Sequence, residues 1–354
     1  MKITFCLPQP GNHPIGGYKV VYEYANRLYR KGHKVNIVYD CNRLFYKDKL
    51  RLIRIAKILI KYNRKKSWFR LENGVKLYYA LNGINDKTVP DADCIIASAV
   101  ETINEVYQLS PKKGKKIYFV QDIENWRVGD DYVDKTYALP FEKIAISNWI
   151  KKRVDQYSQT PAKVIPNGLD LDLLGITCPI CERKRTSVSM LYHALEHKGS
   201  KYGIEALLEL KKDYPELEAE LFGVPERPEG LPEWIHYTQN ASAAQLKEIY
   251  NKTAIFLCPT IKEGFGLTGA ESMACGCALV TTDYEGAREY AEDRRNAVMC
   301  KIMDSEALCA AMKTLIENDD LRCRIASAGS ENVKKLSWEN SVAAFENVLN
   351  ANDV

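Results

Sequence analysis

Strands and helices alternate in both halves of this chain, which predicts an α/β protein with two doubly wound parallel-sheet domains. In the first half, short apolar runs typical of buried strands are separated by segments of helical character, and the same alternation starts again near residue 189. Strands and helices that alternate at this spacing form parallel sheets with helices on both faces. At 354 residues the chain is long enough for two such domains, each with its own core.

The elements follow from the apolar pattern. The predicted elements of the first half are a strand at Lys2 to Leu7, a helix from Gly17 to Arg30, a strand at Lys34 to Tyr39, and apolar runs at Cys94 to Ala99, Lys116 to Val120 and Lys143 to Ile146. Those of the second half are strands at Ser189 to Tyr192, Glu218 to Phe222, Ala254 to Cys258 and Ala278 to Thr281, with helices at Tyr202 to Lys212, Ala244 to Tyr250 and Leu267 to Cys275. Two Rossmann-like sheets in tandem are therefore expected.

The domain boundary is expected near the turn sequence IPNGLDLDLL, which starts at Ile165 and precedes a polar stretch. We therefore divide the chain into a first domain of residues 1–165, a second domain of residues 166–335, and a C-terminal helix in residues 336–354.

Charge is unevenly divided between the halves. Residues 1–165 hold 30 Lys and Arg against 16 Asp and Glu, whereas the remainder holds 20 against 30, for a net charge of only +4. The stretch from Arg43 to Arg70 alone has eleven basic residues and one acid, interleaved with apolar ones. Such a basic amphipathic stretch is typical of binding to an anionic membrane surface, and a solvated helix face that covers the sheet is the alternative. No nucleic-acid-binding module is present.

Location and cysteine chemistry follow from composition. The chain has no run of 18 apolar residues, and its N-terminus turns polar too early for a signal peptide, so we expect a cytoplasmic protein, peripheral at the inner membrane face if the basic stretch binds lipid. Eleven scattered cysteines suit a reducing compartment. Cys178 and Cys181 form one CxxC without a second ligand pair, which favours free thiols over a zinc site.

The run EGFGLTGAE at residues 263–271 is the most informative motif. It follows the predicted strand ending at Cys258, and it opens the next helix. A junction of strand, glycine loop and helix presents unpaired N–H groups and the positive end of the helix dipole to an anion such as a diphosphate. Gly264 and Gly266 would let the ligand approach closely, and Glu271, about one turn into the helix, could accept hydrogen bonds from a ribose diol.

These residues, together with the following ESMACGCALVTTDYEGAREY, resemble the donor site of GT-B glycosyltransferases, in particular the retaining family 4. The resemblance implies two domains that face a cleft, a final helix that crosses back toward the first domain, and a nucleotide-sugar donor. It also implies that Glu263 contacts the donor sugar and Glu271 the ribose. The donor-binding residues that we predict are His193, Lys198, Glu263, Gly264, Phe265, Gly266, Leu267, Thr268 and Glu271.

A basic pair in the family neutralises the donor diphosphate, and here only its lysine matches, at Lys198. The position of the arginine is occupied by His193, which lacks the bidentate fork of a guanidinium. A protonated His193 or the nearby Lys201 are the candidate substitutes. No DxD motif sits at a strand end, so we expect no metal and no cofactor, with the leaving group stabilised by Lys198 and by backbone N–H groups.

In the first domain, Gly16 and Gly17 match the family's early glycine pair. They open the first helix, and a dinucleotide-binding alternative is weak because GNHPIGG lacks G-x-G-x-x-G. In FVQDIENW, Gln121 replaces a family histidine, and Asp122 and Glu124 are the carboxylates that could orient or deprotonate an acceptor hydroxyl. The alternative for these two is that they cap the next helix or face water.

Ser147 resembles another position that lines the cleft. We therefore assign Gly16, Gly17, Gln121, Glu124 and Ser147 to the acceptor side, and Glu263, Asp122 and Lys198 to catalysis.

The resemblance thus implies a hexosyl- or deoxyhexosyltransferase that moves a sugar from a nucleoside-diphosphate donor to a glycan or lipid-linked acceptor in cell-surface polysaccharide synthesis. It also implies retention of anomeric configuration, which the sequence itself does not show, and a mechanism without metal. The alternatives are a catalytically inactive sugar-nucleotide-binding or scaffold protein of the same fold, and a nucleotide-sugar epimerase. Neither the base, the sugar nor the acceptor follows from the sequence.

Overall fold

A computed structural model describes residues 1–11, 14–42, 53, 68–126 and 128–351. The chain divides into two compact units, Met1–Pro166 together with Val342–Val354, and Asn167–Ser341. Each unit is built on one all-parallel sheet covered by helices. The predicted α/β class with two parallel-sheet domains is therefore confirmed.

Within the described residues, the first unit has a seven-stranded sheet in the order β3-β2-β1-β4-β5-β6-β7. Its strands are β1 (Lys2–Leu7), β2 (Lys34–Asp40), β3 (Lys76–Ala80), β4 (Cys94–Ala97), β5 (Lys115–Val120), β6 (Glu142–Ala145) and β7 (Lys163–Val164). Its helices are α1 (Gly16–Arg30), α2 (Ile103–Tyr107), α3 (Asp130–Tyr137) and α4 (Asn148–Asp155). The central strands are apolar along their length because helices cover both faces of the sheet; all four residues of β4 are buried.

In the part of the chain that the structure describes, the second unit has a six-stranded sheet in the order β10-β9-β8-β11-β12-β13. Its strands are β8 (Ser187–Leu191), β9 (Glu218–Gly223), β10 (Ile235–Gln239), β11 (Ile255–Cys258), β12 (Ala278–Thr282) and β13 (Ala297–Cys300). Its helices are α5 (Ser200–Asp213), α6 (Ala243–Lys252), α7 (Leu267–Ala274), α8 (Ser305–Glu317) and α9 (Asp319–Val333). The order reverses between β8 and β11, which places the ends of these two neighbouring strands at a topological switch point.

The last helix, α10 (Trp338–Asn350), completes the core of the first unit with its C-terminal part. The Phe345 ring is fully buried and lies 4.4 Å from the Tyr24 ring and 5.6 Å from the Phe119 ring, measured between centroids. On the same helix Glu346 forms an ion pair with Lys31 and accepts a hydrogen bond from His33 Nε2 at 2.9 Å. Aromatic burial and these polar contacts fix the helix to the first sheet.

The predictions from composition concern the basic stretch of residues 43–70 and the free thiols. The basic stretch of residues 43–70 lies almost wholly outside the described residues; at its end Trp68 and Phe69 pack against Tyr22. The prediction that Cys181 is a free thiol is wrong, because Cys181 is paired with Cys323 as a disulfide, 142 positions away in the sequence, whereas Cys178 is free. Sequence spacing gave no sign of this pairing because the partner is brought in by α9.

None of the helices in the described part of the chain is both long enough and apolar enough to span a bilayer.

Candidate functional site

The EGFG loop, which we define as Glu263–Gly266, joins β11 to α7 as the sequence predicts. The strand ends at Cys258, and the helix begins at Leu267 with Gly266 as its N-cap. Gly266 has a φ of 90°, in the left-handed region that favours glycine. The first N–H groups of α7 have no partner within the helix, and the N-cap residue Gly266 has no side chain with which to cap them. The loop therefore ends at an open helix N-terminus.

Two buried tyrosines support this turn from below. Tyr290 Oη donates a hydrogen bond to the Gly266 carbonyl at 2.8 Å, and it lies 3.0 Å from the Tyr284 hydroxyl. A Cβ at Gly266 would be 1.9 Å from Tyr284 Oη. The expected reason for this glycine, close approach of a ligand, is therefore incomplete, since Gly266 is required first by its φ and by the tyrosine beneath it.

The rest of the loop is packed just as closely. A Cβ at Gly286 would be 2.5 Å from the Glu263 carbonyl oxygen, so only glycine fits under the loop. The predicted donor residue Phe265 is 2% exposed, and its ring lies 5.5 Å from the Tyr290 ring. Phe265 thus anchors the loop in the core, and its side chain is not available to a ligand. Leu267 and Thr268, by contrast, are half-buried at the start of α7.

Lys198 and Glu263 form an ion pair across the loop. Lys198 Nζ lies 2.5 Å from Glu263 Oε1, and both side chains are largely buried, at 17% and 26% exposure. Gly199 follows with a φ of 65°, and a Cβ there would be 1.9 Å from the Pro259 carbonyl oxygen. The Ile261 N–H also donates to the His197 carbonyl at 2.8 Å. The turn that carries Lys198 is therefore tied directly to the loop that carries Glu263.

His193 is held as a neutral imidazole beside this pair. Burial lowers its pKa below the usual value of 6.5, and the nearby charge of Lys198 lowers it further. The Leu195 N–H donates to His193 Nδ1 at 3.0 Å, so the proton of the neutral ring is on Nε2. A protonated His193 is thus disfavoured as the substitute for the family's arginine. The ring offers one hydrogen-bond donor and no charge.

Lys201, the other candidate substitute, is an exposed surface residue. Its side chain is 78% exposed and lies 3.9 Å from Glu205, one turn further along α5. Among the three basic candidates, only Lys198 combines charge, burial and contact with the loop.

Glu271 lies on α7, one turn after Leu267, and is 7% exposed. Tyr250 Oη donates to Glu271 Oε2 at 3.5 Å, which is a long hydrogen bond. The helix thus carries a carboxylate close to its open N-terminus, as the sequence predicts. The predicted glycine Gly264 is buried in the loop between the two glutamates.

In the first unit, the predicted residues gather at the carboxyl ends of β1, β5 and β6. Gly16 and Gly17 are the first two residues of α1. A Cβ at Gly17 would touch the Gln121 side chain at 3.4 to 3.6 Å, whereas none of the described residues lies within 4 Å of a Cβ at Gly16. Ser147 is fully buried at the N-cap of α4, and its Oγ has no hydrogen-bond partner among the described residues. Gln121 is therefore beside the glycine pair, and Ser147 keeps an unsatisfied hydroxyl.

The two carboxylates after β5 have local contacts. Asp122 Oδ1 accepts from the Ile123 N–H at 2.8 Å, and Glu124 Oε2 accepts from the Val100 N–H at 2.5 Å. The Glu124 contact joins two loops of the first unit, so one carboxylate oxygen of Glu124 is engaged by the protein itself.

No group of three His, Cys, Asp or Glu among the described residues is placed to hold a metal ion. The second unit's site consists of one cation, two carboxylates, one neutral imidazole and an open helix N-terminus. The N–H groups, the helix dipole and Lys198 all favour a bound anion at the start of α7. The carboxylates would accept hydrogen bonds from hydroxyl groups attached to that anion.

The residues that sequence reasoning missed are Tyr284, Tyr290 and Gly286. All three lie in the quoted segment TTDYEGAREY, but their roles depend on packing under the loop. Two tyrosines six positions apart after a buried strand carry no motif of their own, so only the structure assigns them.

Comparison with known proteins agrees with this geometry. Residues 182–332 match the family model described as "Glycosyl transferases group 1". A phosphatidyl-myo-inositol mannosyltransferase from Mycobacterium leprae is 25% identical over 206 residues, 55% of each chain. An N,N'-diacetylbacillosaminyl-diphospho-undecaprenol alpha-1,3-N-acetylgalactosaminyltransferase from Campylobacter jejuni is 24% identical over 68% of this chain and 61% of its own. The chain thus spans little more than half the length of these curated relatives.

Solved structures match over nearly the whole chain. Anabaena HepE in complex with UDP and glucose has a TM-score of 0.74 at 17% identity and covers 99% of both chains. A mutant of S. aureus TarM, in complex with Fondaparinux, alpha-GlcNAc-glycerol and UDP, has a TM-score of 0.75 at 12% identity, covering 99% of this chain and 100% of its own. The chain therefore has the GT-B fold, and its residues 182–332 are similar to the glycosyl transferases group 1 family.

Proposed function

We propose that this protein is a retaining glycosyltransferase that transfers a sugar from a nucleoside-diphosphate donor to a glycan or lipid-linked acceptor. The observation that carries the proposal is the combination at the α7 N-terminus. An open helix end, the buried Lys198–Glu263 pair and the buried carboxylate of Glu271 lie on one connected set of loops.

In this proposal the diphosphate, the ribose and the sugar of the donor each bind to a group of the second unit. The diphosphate binds the N–H groups of Leu267 and Thr268 and the ammonium of Lys198. Glu271 accepts hydrogen bonds from the ribose, and Glu263 from the sugar. The neutral His193 donates from Nε2 to an oxygen of the diphosphate.

Charge develops on the departing diphosphate as the sugar is transferred. In the proposed mechanism Lys198 and the helix N-terminus stabilise that charge, and these groups are already in place before the reaction. Because Lys198 is paired with Glu263 in the free protein, its ammonium would be shared between Glu263 and the diphosphate when the donor is bound. Catalysis in this proposal requires no metal and no cofactor.

The acceptor class comes from the relatives. The M. leprae relative is named for phosphatidyl-myo-inositol and the C. jejuni relative for an undecaprenol diphosphate, both lipid-linked. We propose an acceptor of this class for cell-surface polysaccharide synthesis, with Asp122 positioned to orient or deprotonate its hydroxyl beside Gln121, Gly16, Gly17 and Ser147.

The test is binding followed by transfer. A panel of UDP, GDP, ADP and dTDP sugars would be screened by thermal shift and calorimetry, and the donor that binds would be assayed for transfer to lipid-linked acceptors. Glu271→Ala should abolish donor binding while the protein remains folded. Glu248→Ala, which removes an exposed carboxylate of α6 that is paired with Lys252, is the matched control. Unchanged affinity in Glu271→Ala would refute the assignment of the site.

Membrane association is a separate part of the proposal. We propose a cytoplasmic protein whose basic first half binds the inner membrane face, based on the excess of Lys and Arg in residues 1–165. Co-sedimentation should occur with anionic vesicles and weaken at high salt. Equal sedimentation with neutral and anionic vesicles would remove this part and leave the donor site untouched.

A second function is favoured by one observation. The family's arginine is replaced by a neutral His193, which weakens charge compensation at the leaving group. A protein that binds the sugar nucleotide without transferring the sugar would tolerate this replacement. Donor binding without turnover across the whole acceptor panel, and without sugar release to water, would support this alternative.

A further inference from the structure

A chain of buried hydrogen bonds runs from the end of β11 to the turn before α7. Tyr290 Oη donates to the Gly266 carbonyl at 2.8 Å, so its single hydrogen is used there. The contact of 3.0 Å between the two hydroxyls must then be a donation from Tyr284 to Tyr290. Cys258 Sγ lies 3.9 Å from Tyr284 Oη and 3.6 Å from Thr260 Oγ1. The directions of the two tyrosine hydrogen bonds are therefore fixed.

These three groups remain protonated at neutral pH. Burial raises the pKa of both tyrosines well above 10, and it raises the pKa of the Cys258 thiol above 9. Tyr284 and Tyr290 are 1% and 2% exposed. All three groups therefore keep their hydrogen-bond donors at neutral pH.

The chain fixes the direction of one N–H group. Gly266 and Leu267 share a planar trans peptide, in which the C=O and the N–H point in opposite directions. Because Tyr290 holds the Gly266 carbonyl toward the core, the Leu267 N–H points away from the core, at the start of α7. The conformational preference of Gly266 itself, at a φ of 90°, fixes this peptide plane only weakly, because glycine adopts many conformations of similar energy.

The backbone carbonyl of Tyr290 is itself anchored. It accepts from Asn296 Nδ2 at 3.0 Å and from Asn332 Nδ2 at 2.7 Å. The Tyr290 ring also packs against Phe265 of the same loop. Tyr290 is therefore held at its backbone and its ring, and its hydroxyl can act as a fixed support.

We propose that Tyr290, supported by Tyr284, is a positioning residue that aims the Leu267 N–H at the diphosphate of the donor. This inference rests on the proposed function of the site. It goes beyond it by assigning the preorganisation of the helix N-terminus to two tyrosines that do not touch the ligand.

The test compares Tyr290→Phe, Tyr284→Phe and the double variant. Affinity would be measured by calorimetry for the nucleoside diphosphate that binds best among UDP, GDP, ADP and dTDP, and for its parent nucleoside. Loss of one supporting hydrogen bond in Tyr290→Phe should weaken diphosphate binding about fivefold, with nucleoside binding unchanged. Tyr284→Phe should weaken it by about twofold, since it acts through Tyr290, and the double variant should match Tyr290→Phe.

Tyr237→Phe is the matched control. It removes a phenol donor to a backbone carbonyl in the same unit, Tyr237 Oη to Pro225 O at 2.5 Å. A purely structural role would make the control and Tyr290→Phe alike, with similar losses of melting temperature and no selective loss of diphosphate affinity. That result overturns the inference. Should Tyr290→Phe not fold, wild-type diphosphate affinity in Tyr284→Phe overturns it equally.

Binding by the wild-type protein distinguishes failure of the proposed function from failure of the positioning role of Tyr290. If the wild-type protein binds none of the four nucleoside diphosphates, the proposed function fails. If the wild type binds one of them and Tyr290→Phe binds it as tightly, only the positioning role fails.

Discussion

The predicted sites of the two units differ in how their polar groups are satisfied. In the second unit, Lys198 is paired with Glu263, and the turn at Gly266 is held by Tyr290. In the first unit, the buried Ser147 hydroxyl has no hydrogen-bond partner among the described residues, and none of those residues lies within 4 Å of a Cβ at Gly16. A site whose groups are fixed before binding loses little freedom when its ligand arrives. We therefore expect the proposed donor side to be preorganised and the proposed acceptor side to be completed by its ligand.

The largest expected effect tests how closely the turn at Gly266 of the second unit is packed, compared with Gly16 of the first. Gly266→Ala places a Cβ 1.9 Å from Tyr284 Oη at a φ of 90°. Overpacking together with a left-handed backbone should reduce the free energy of unfolding by about 3 kcal/mol or more, measured by urea denaturation.

Gly16→Ala in the first unit is its counterpart. No atom of the part of the chain that the structure describes lies within 4 Å of the added Cβ, and the residue opens α1, so stability should hold or rise slightly. Equal losses in the two variants would show that the second unit's turn is not the more tightly fixed one.

The next effect concerns charge at the donor side. Lys198→Ala removes the largely buried cation that pairs with Glu263 of the EGFG loop. It should weaken nucleoside-diphosphate binding by about 10- to 100-fold, the usual value of a charge-assisted hydrogen bond. Calorimetry at two salt concentrations measures it. The neighbouring Lys201→Ala, which changes an exposed side chain, should bind normally. Comparable losses in both variants would mean that general positive charge, and not the ion pair, attracts the ligand.

A smaller effect tests the unsatisfied hydroxyl of the first unit. Ser147→Ala removes a buried Oγ that has no partner in the described structure, so the free energy of unfolding should stay the same or rise. Ser98→Ala removes a buried Oγ that donates to the Cys6 carbonyl at 2.7 Å and should cost about 1 kcal/mol. Chemical denaturation of the two variants compares them directly. A loss in Ser147→Ala as large as that in Ser98→Ala would contradict the difference between the units.

The smallest effect is a pH dependence of the second unit. Burial lowers the pKa of both His193 and His197 below 6.5 in the folded state, so the unfolded chain binds protons more readily. Their contribution to stability is therefore present above pH 6.5 and is lost as pH falls below 6.5 toward the folded-state pKa values. Denaturation at pH 7.5 and 5.5 should show a smaller loss in the His193→Gln, His197→Gln double variant than in the wild type. An identical loss in both proteins would contradict the assignment.

Much of the fold followed from local sequence. The runs at Lys2 and Ala278 are continuous apolar segments between turns, and each forms a buried strand starting at the predicted residue. The prediction did not include β3 (Lys76–Ala80), β7 (Lys163–Val164), β10 (Ile235–Gln239) or β13 (Ala297–Cys300), the strands at the edges of the two sheets. Edge strands are partly exposed and mix polar with apolar residues, so their pattern is weak.

The candidate site likewise has a part that local sequence predicts and a part that it does not. The order of strand, glycine loop and helix around Gly266 follows from local signals, and so does a carboxylate at Glu271. The Lys198–Glu263 pair joins residues 65 positions apart, and the support from Tyr290 lies 24 positions from Gly266. Such contacts depend on the packing of separate elements, which periodicity does not encode. The neutral state of His193 likewise depends on burial and on the Leu195 N–H.

The most direct test of the account is a crystal structure of the protein soaked with the nucleoside diphosphate that the binding screen selects. The account predicts phosphate oxygens within hydrogen-bond distance of the Leu267 and Thr268 N–H groups and of Lys198 Nζ, with the ribose hydroxyls on Glu271. A diphosphate bound elsewhere, with the start of α7 unoccupied, would contradict it.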